Sequence, residues 1–425
     1  MSAIDGNTAQ YMARSLAAEV IAECRLIATM SEEPGRTTRR FLTPPVATLH
    51  AHLRTRMQTL GMNVHVDPVG NLRGLWLPAN GAKKRLLMGS HIDTVPNAGA
   101  FDGVLGVVLA TALVRRAREL ELPIALEVIA FSEEEGVRYG MPFLGSRVVA
   151  GSFNMKALVQ KDVRGIRMYD AIRSFGLDPA AIPAAAIPES EIEDQILGYL
   201  EMHIEQGPVL ESEGLSLAVV EGIVGQSRLS FGFTGQANHA GTTPMHLRRD
   251  ALAAAAEWIT AVEVMAQTTV GLVATVGKLS VEPDAGNVVP GIAHLSLDVR
   301  HMSNRVRNRA VRELIRCAEQ IAGRRGLKVE WAEQMNEGSV GMDAELSAQL
   351  MAAIEAAGFP PRIMPSGAGH DAMIMGKRMP AAMLFLRSPG GISHHPEENV
   401  LEEDVEAAIQ AGELFLMRLS GINSK

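Results

Sequence analysis

The chain has 425 residues, 47% of them hydrophobic, and a formal charge of −8, which suits a two-domain globular protein and argues against a nucleic-acid binder. The longest apolar run, residues 103–114, is well short of the ~20 residues of a membrane span. Cys24 and Cys317 cannot build a disulfide framework, and the charged first segment does not read as a signal peptide, so a cytoplasmic protein is expected.

In chain order, "KRLLMGSHIDTVP" reads as a buried strand breaking into a loop, "GVLGVVLATALVRRARELE" as a helix, and "ALEVIAFSEEEG" as the next strand and its loop. Apolar strands alternating with a helix predict an α/β domain, a mostly parallel central sheet flanked by helices. Reaction sites in such sheets gather beyond the carboxyl ends of the strands, where "GSHIDTVPNAGAFDG" and "SEEEG" fall. Residues 155–195, with the Ala- and Pro-rich "FGLDPAAIPAAAIPES", read as a connector or surface excursion outside the core. After "YLEMHIEQGPVLE" a second block begins near Gly214. Its strands "AVVEGIVGQSRLSFGFTG", "VGLVATVGKLSV", "AHLSLDVRH" and "LKVEWAEQM" interleave with two helices. This pattern predicts a smaller α+β domain at 214–333, inserted into a discontinuous domain of 1–213 and 334–425.

Four histidines, His91, His203, His370 and His394, stand in loop contexts beside acids or glycines. Asp93 is placed to hold the second ring nitrogen of His91, as partners of metal-bound histidines do. Asp102 lies between glycines in "GAFDG", which lets backbone and carboxylate approach a ligand closely. Glu133, Glu134 and Glu135 follow one another at a strand end and would repel unless a cation sat among them. Imidazoles and carboxylates without thiolates suit Zn²⁺ or Mn²⁺. One glutamate left off the metal would serve as general base. Taken singly, a loop histidine or a "SEEEG" run is commonly just solvated surface; five such elements at strand ends and glycine turns favour a metal site.

Together "MGSHIDTVPNAGAFDGVLGV", "SEEEGVRYG", "HIEQGPVLE", "GQANHAGTTPM", "GNVVPG", "DVRH", "SGAGHDAM" and "GISHHPEE" resemble the binuclear metal amidohydrolases, in the hydantoinase/carbamoylase branch of the aminoacylase/carboxypeptidase superfamily. The resemblance covers residues 20 to 415. It implies a di-metal catalytic domain and an inserted ferredoxin-like domain that serves as dimerisation surface and lid. It implies two divalent ions per subunit, Zn²⁺ or Mn²⁺ with Co²⁺ or Ni²⁺ also accepted. Asp102 would bridge them, His91 and His203 completing one site and Glu135 and His394 the other, with His395 a rival to His394. Glu134 matches the general base, and Glu133 a less demanding place.

By the same resemblance His239 stabilises the oxyanion across a homodimer. Arg300, Asn287 and Gln206 bind the substrate carboxylate, and Gly369 and His370 belong to a loop that closes over it. A histidine at 203, where related peptidases carry aspartate, points to a small ureido carboxylate as substrate, an allantoate or an N-carbamoyl amino acid. Aminoacylase or dipeptidase action, or a non-catalytic binding relative, are the alternatives.

Overall fold

In the computed structural model, which describes residues 6–79, 81–82 and 84–422 (backbone only for 6–15), the chain runs through strands β1 (Asn63–Val66), β2 (Leu72–Trp76), β3 (Arg85–His91), β4 (Ala125–Phe131), β5 (Ile196–Ile204) and β6 (Leu217–Ile223). It continues through β7 (Gly225–Thr234), β8 (Asn238–His239), β9 (Val273–Thr275), β10 (Leu279–Glu282), β11 (Val288–Val289), β12 (Ile292–His301) and β13 (Lys328–Glu337). The last strands are β14 (Val340–Gly341), β15 (Ile363–Ser366) and β16 (Ala381–Leu386). Two compact units result: one holds the chain up to Glu221 and from Gly341 onward, the other Gly222–Val340.

The first unit is built on a nine-stranded sheet of order β1-β2-β4-β3-β5-β16-β6-β14, with β15 beside β6. Its centre, β4-β3-β5-β16, is parallel. β4 and β16 are buried along their whole length, as strands covered on both faces must be. The one charge inside β4, Glu127, is met by Arg73 Nε at 2.7 Å. Helix Val104–Glu119 turns Leu105, Val108, Leu109 and Leu113 into the core. Helices Ala344–Ala356 and Glu402–Leu419 add Leu350, Ile354, Ile409 and Phe415 to the same cluster. Among the described residues, no helix is long and apolar enough to cross a membrane.

Two findings depart from the sequence reading. Residues 155–195 are more than a surface excursion: Leu158, Met168, Ile172 and Ile182 form a separate buried cluster with Phe41, Val69, Leu144 and Val148. Their apolar positions sit on short helical turns such as Met155–Val159 and Met168–Ser174, too brief to show a period. The division between units also lies at 221/222 and 340/341 rather than 213/214 and 333/334. The reason is β6, which pairs antiparallel with β16 (Leu217 opposite Leu386) and so belongs to the large sheet.

In the second unit, β12 and β7 pair antiparallel over ten residues each, with β13 beyond β7 and β9 and β10 beside β12. Alternation drives it: Leu229, Phe231 and Phe233 of β7 and Ala293, Leu295, Leu297 and Val299 of β12 are buried, and their neighbours are not. Helices Ala251–Thr268 and Asn304–Arg325 supply Trp258, Leu314 and Ile321 to that core, and Trp258 Nε1 donates to Leu314 O at 2.9 Å. Each helix opens on a side-chain cap, Asp250 and Ser303 accepting from Ala253 N and Val306 N.

Candidate metal centre

The parallel strands of the first unit deliver their carboxyl ends to one place. His91 is the last residue of β3 and His203 the penultimate residue of β5. Glu134 and Glu135 follow β4, and His394 follows β16. Asp102 lies at the centre. Its Oδ1 is 3.7 Å from His91 Nε2 and 3.3 Å from His203 Nε2, and its Oδ2 is 3.1 Å from His394 Nε2. His394 Nε2 is also 3.3 Å from Glu135 Oε1. Among the described residues, three trios have ligand atoms all within 4.8 Å of one another: His91–Asp102–His203, Asp102–Glu135–His394 and His91–Glu134–Glu135. His395 is outside them; its Nδ1 accepts from Glu397 N at 3.2 Å.

The backbone is forced to place these groups. Glu133, Gln206 and His394 have φ of 54°, 59° and 56°, a left-handed conformation costing roughly 1–2 kcal/mol for a residue with a Cβ. Such outliers cluster where surrounding structure imposes a function. Gly103 has φ 69°, and a Cβ there would stand 2.4 Å from His91 Cε1. The glycine after Asp102 is thus the space into which the His91 ring fits.

The three adjacent glutamates point in different directions. Glu133 is fully buried and accepts from Phe41 N (3.2 Å), Arg138 N (2.8 Å) and Tyr139 N (3.4 Å). Burial, then the charge of Asp93, pushes it up to about 8. Asp93 holds His91 chiefly through its backbone, its carboxylate Oδ1 standing farther off at 3.7 Å from His91 Nδ1. His91 Nδ1 is 3.0 Å from the Asp93 carbonyl oxygen, while the carboxylate accepts from Glu134 N at 2.9 Å and Glu135 N at 3.1 Å. A peptide carbonyl two residues on was the shorter reach, which left the side chain to fix the glutamate turn. Glu134 is buried, and burial followed by the charges of Glu135, Asp371 and Asp93 raises its pKa well above the usual carboxylate range.

Around Asp102 the balance reverses. Burial opposes ionisation, but the close His203 and His394 imidazoles hold Asp102 well below its ordinary value. Burial likewise works against protonating His203, yet Asp102 and Glu201 push it up to about 9. Asp102 and then Glu135 lift His394 to about 10. His91, farther from Asp102 and facing the His203 charge, is lowered by burial. Positive charge is thus drawn to the positions flanking Asp102.

A divalent ion fits this donor set. Ligands about 2.1 Å from a tetrahedral ion lie roughly 3.4 Å apart, close to the 3.1–3.7 Å separations around Asp102. His203 Nε2 is buried without a hydrogen-bond partner although Asp102 Oδ1 is 3.3 Å away. An imidazole nitrogen and a carboxylate oxygen so close, yet out of hydrogen-bond alignment, are placed as co-ligands. His203 Nδ1 is turned to Ile204 O at 2.9 Å, which frees Nε2 for the cluster.

The remaining expected residues divide between the units. Gln206 reaches the cluster, its Nε2 3.0 and 3.1 Å from the two oxygens of Asp102 and its buried Oε1 without a partner. His370 is buried with its ring 4.5 Å from the His203 ring and Nε2 on Ser366 Oγ at 2.9 Å; burial drives its pKa well down. At Gly369 an added Cβ would meet Phe143 Cζ at 2.6 Å. His239, Asn287 and Arg300 lie in the second unit. His239 is exposed on β8 opposite Val288 of β11, and Asn287 O accepts from Ala240 N. Arg300 donates to Asp298 through Nε at 2.8 Å and Nη2 at 3.2 Å.

Sequence reasoning missed Glu201 and Glu398, both buried. Glu201 accepts from Ser90 Oγ and Ala372 N behind the histidines. Glu398 accepts from Phe101 N and Asp102 N. The available signal was position, two residues before His203 and four after His394.

A family model described as Peptidase family M20/M25/M40 matches residues 87–418. The chain is 36% identical to a probable allantoate deiminase of Oryza sativa subsp. japonica, over 92% of this chain and 86% of that protein. It is 38% identical to an N-carbamoyl-L-amino acid amidohydrolase of Geobacillus stearothermophilus, over 82% and 85%. A hydantoinase/carbamoylase family amidase from Burkholderia multivorans superposes with a TM-score of 0.87 at 28% identity, covering 96% of this chain and 98% of the other. Matched by the family model over residues 87–418 and by these relatives over 82–96% of its length, the chain belongs to the M20/M25/M40 peptidase family, on its hydantoinase/carbamoylase side.

Proposed function

We propose that this chain hydrolyses the ureido C–N bond of a small carboxylate, releasing ammonia and CO₂, with allantoate as the preferred substrate and N-carbamoyl amino acids as the rival. One observation carries the reading: Asp102 is shared by a His91–His203 pair and a Glu135–His394 pair, with the buried Glu134 beside them. Support for allantoate comes from the rice relative, whose similarity extends over more of this chain than that of the carbamoylase.

His91, His203 and Asp102 would hold one divalent ion, and Asp102, Glu135 and His394 a second, Zn²⁺ or Mn²⁺. Bound there, the ions would supply Lewis acidity to the attacking water and to the substrate carbonyl. Glu134, not needed to complete either trio, takes the proton from the attacking water and returns it to the departing nitrogen. In the metal-free site, burial among other carboxylates raises its affinity for a proton. His239 donates to the oxyanion from the partner subunit of a homodimer. Arg300, whose planar fork suits a carboxylate, binds the far end of the substrate with Asn287 and Gln206. Gly369 and His370 belong to a loop that closes over the substrate, with the His370 ring beside that of His203. The enzyme works in the cytoplasm.

The test is ammonia release by Mn²⁺- or Zn²⁺-reconstituted protein from allantoate, N-carbamoyl-L-amino acids and N-carbamoyl-β-alanine, with acetate release from N-acetyl amino acids in parallel. Ammonia from allantoate is the expected result. Acetate without ammonia would move the protein to aminoacylase chemistry.

A further inference from the structure

Glu398 is 5% exposed and has no part in the mechanism above, yet it touches both loops that meet at the metal centre. Its Oε1 accepts from Phe101 N and Asp102 N, both at 2.9 Å, fixing the backbone that carries the shared carboxylate. Its Oε2 accepts from Ser393 Oγ at 3.2 Å, and Ser393 immediately precedes His394. The Ser393 hydroxyl is also 3.5 Å from Asp102 Oδ2. Glu398 N donates to His395 O at 3.0 Å, closing the turn that follows His394.

Two further features show that the arrangement is built. A Cβ at Gly99 would fall 2.4 Å from Glu398 Cβ and 2.6 Å from its Oε1, so glycine makes the room for this side chain. His394 holds a left-handed φ of 56°, which persists only where neighbours over-determine it, and Ser393 and the 395–398 turn are those neighbours. The two loops come from opposite ends of the sequence, 296 residues apart. Among the described residues, Glu398 is the side chain that hydrogen-bonds to both the Asp102 backbone and Ser393.

We propose that Glu398 is a positioning residue that locks the Asp102 loop to the His394 loop and so sets the geometry of the Asp102–Glu135–His394 trio. The inference rests on the metal-centre reading above but is independent of which substrate the enzyme takes. Losing Glu398 frees two N–H groups behind Asp102 and unclamps His394, whereas His91 and His203, fixed by the ends of β3 and β5, keep their places. One of the two sites should therefore suffer more than the other. Outer partners of metal ligands typically contribute roughly 10- to 100-fold in affinity.

The experiment is titration of metal-stripped wild-type, Glu398→Ala and Glu398→Gln proteins with Mn²⁺, following free Mn²⁺ by electron paramagnetic resonance, with circular dichroism as the check on folding. Wild type should bind two Mn²⁺ per chain. Glu398→Ala should weaken one of them by about 10- to 100-fold and the other less. Glu398→Gln keeps an oxygen for Phe101 N and Asp102 N and should bring the weakened site back to wild-type affinity. Wild-type affinities in Glu398→Ala, or equal losses in the Gln and Ala variants, would overturn the proposal. If Glu398→Ala does not fold, Ser393→Ala decides. It severs the Oε2 link, together with the longer 3.5 Å contact of the same hydroxyl with Asp102 Oδ2, leaves the Oε1 bonds to Phe101 N and Asp102 N, and should weaken the same single Mn²⁺; unchanged binding overturns the proposal. Wild-type protein that takes up no Mn²⁺ overturns the metal-centre reading and this inference with it.

Discussion

Replacing Glu134 by glutamine should separate catalysis from stability, moving them in opposite directions. The substitution is isosteric and leaves Glu134 N on Asp93, so the turn that presents Glu135 is undisturbed. What disappears is a carboxylate able to accept a proton. Positioned general acid–base groups contribute about 10²–10⁴-fold, or roughly 3–5 kcal/mol of barrier, and kcat should fall by that much. Metal content should be unchanged, because the trios around Asp102 do not use Glu134.

Stability of the metal-free protein should rise in the same variant. Burial and the charges of Glu135 and Asp371 raise the Glu134 pKa well above its ordinary 4.5. An acid whose folded pKa is raised weakens the fold as pH climbs from its unfolded value toward its folded one, since the folded state holds more protons there. Each pKa unit is worth about 1.4 kcal/mol, and glutamine escapes the whole penalty at neutral pH. Urea denaturation of metal-stripped wild-type and Glu134→Gln proteins at pH 7.5, beside kcat and metal analysis, measures all three quantities. Full turnover in the variant refutes the base assignment, and a less stable metal-free variant refutes the electrostatic argument.

Gly103→Ala should cost roughly 1–2 kcal/mol for its left-handed φ. It should also weaken metal binding, because the new Cβ stands 2.4 Å from the His91 ring; unaltered metal affinity would show that the ring has slack. Arg300→Ala should raise KM at least about 10-fold, the scale of a lost charge-assisted bidentate contact, with kcat less affected. An unchanged KM would mean that Arg300 has a structural role, such as its pairing with Asp298, and does not meet the substrate. His50 is buried with Nε2 unpartnered, and burial, then the nearby Arg54 charge, lowers it to about 4. A histidine so lowered stabilises fully above its unfolded value of 6.5 and loses that contribution as pH falls through 4. Between those limits wild type should lose about 3 kcal/mol more than His50→Leu, measured by urea melts at pH 7 and pH 4. Parallel pH profiles in the two proteins would contradict it.

Much of the catalytic unit was legible because its signals are local. β3 and β4 are short apolar runs that stop at chemistry-bearing loops, so a strand end and a candidate ligand could be read from the same dozen residues. Asp102 could be singled out because its flanking glycine is required by contact with His91, a constraint that one residue type records. Less legible was whatever depends on partners far apart in sequence. The Asp93 carboxylate was expected on His91, but its hydrogen-bond donors, Glu134 N and Glu135 N, come from a turn forty residues later. Glu398 answers to a backbone nearly three hundred residues upstream, which no spacing reveals. β6 read as the opening of the second block because its apolar pattern is the same whichever sheet it joins; only pairing with β16 places it. Residues 155–195 hid a small core behind alanine, proline and short helical turns.

The most direct measurement is ammonia release from allantoate by metal-stripped protein as Mn²⁺ is added back in known equivalents. The account requires no ammonia in the presence of chelator, and a rate that climbs and saturates at two equivalents per chain. Ammonia release that survives chelation, or none at any metal loading with allantoate and the N-carbamoyl amino acids alike, would contradict it.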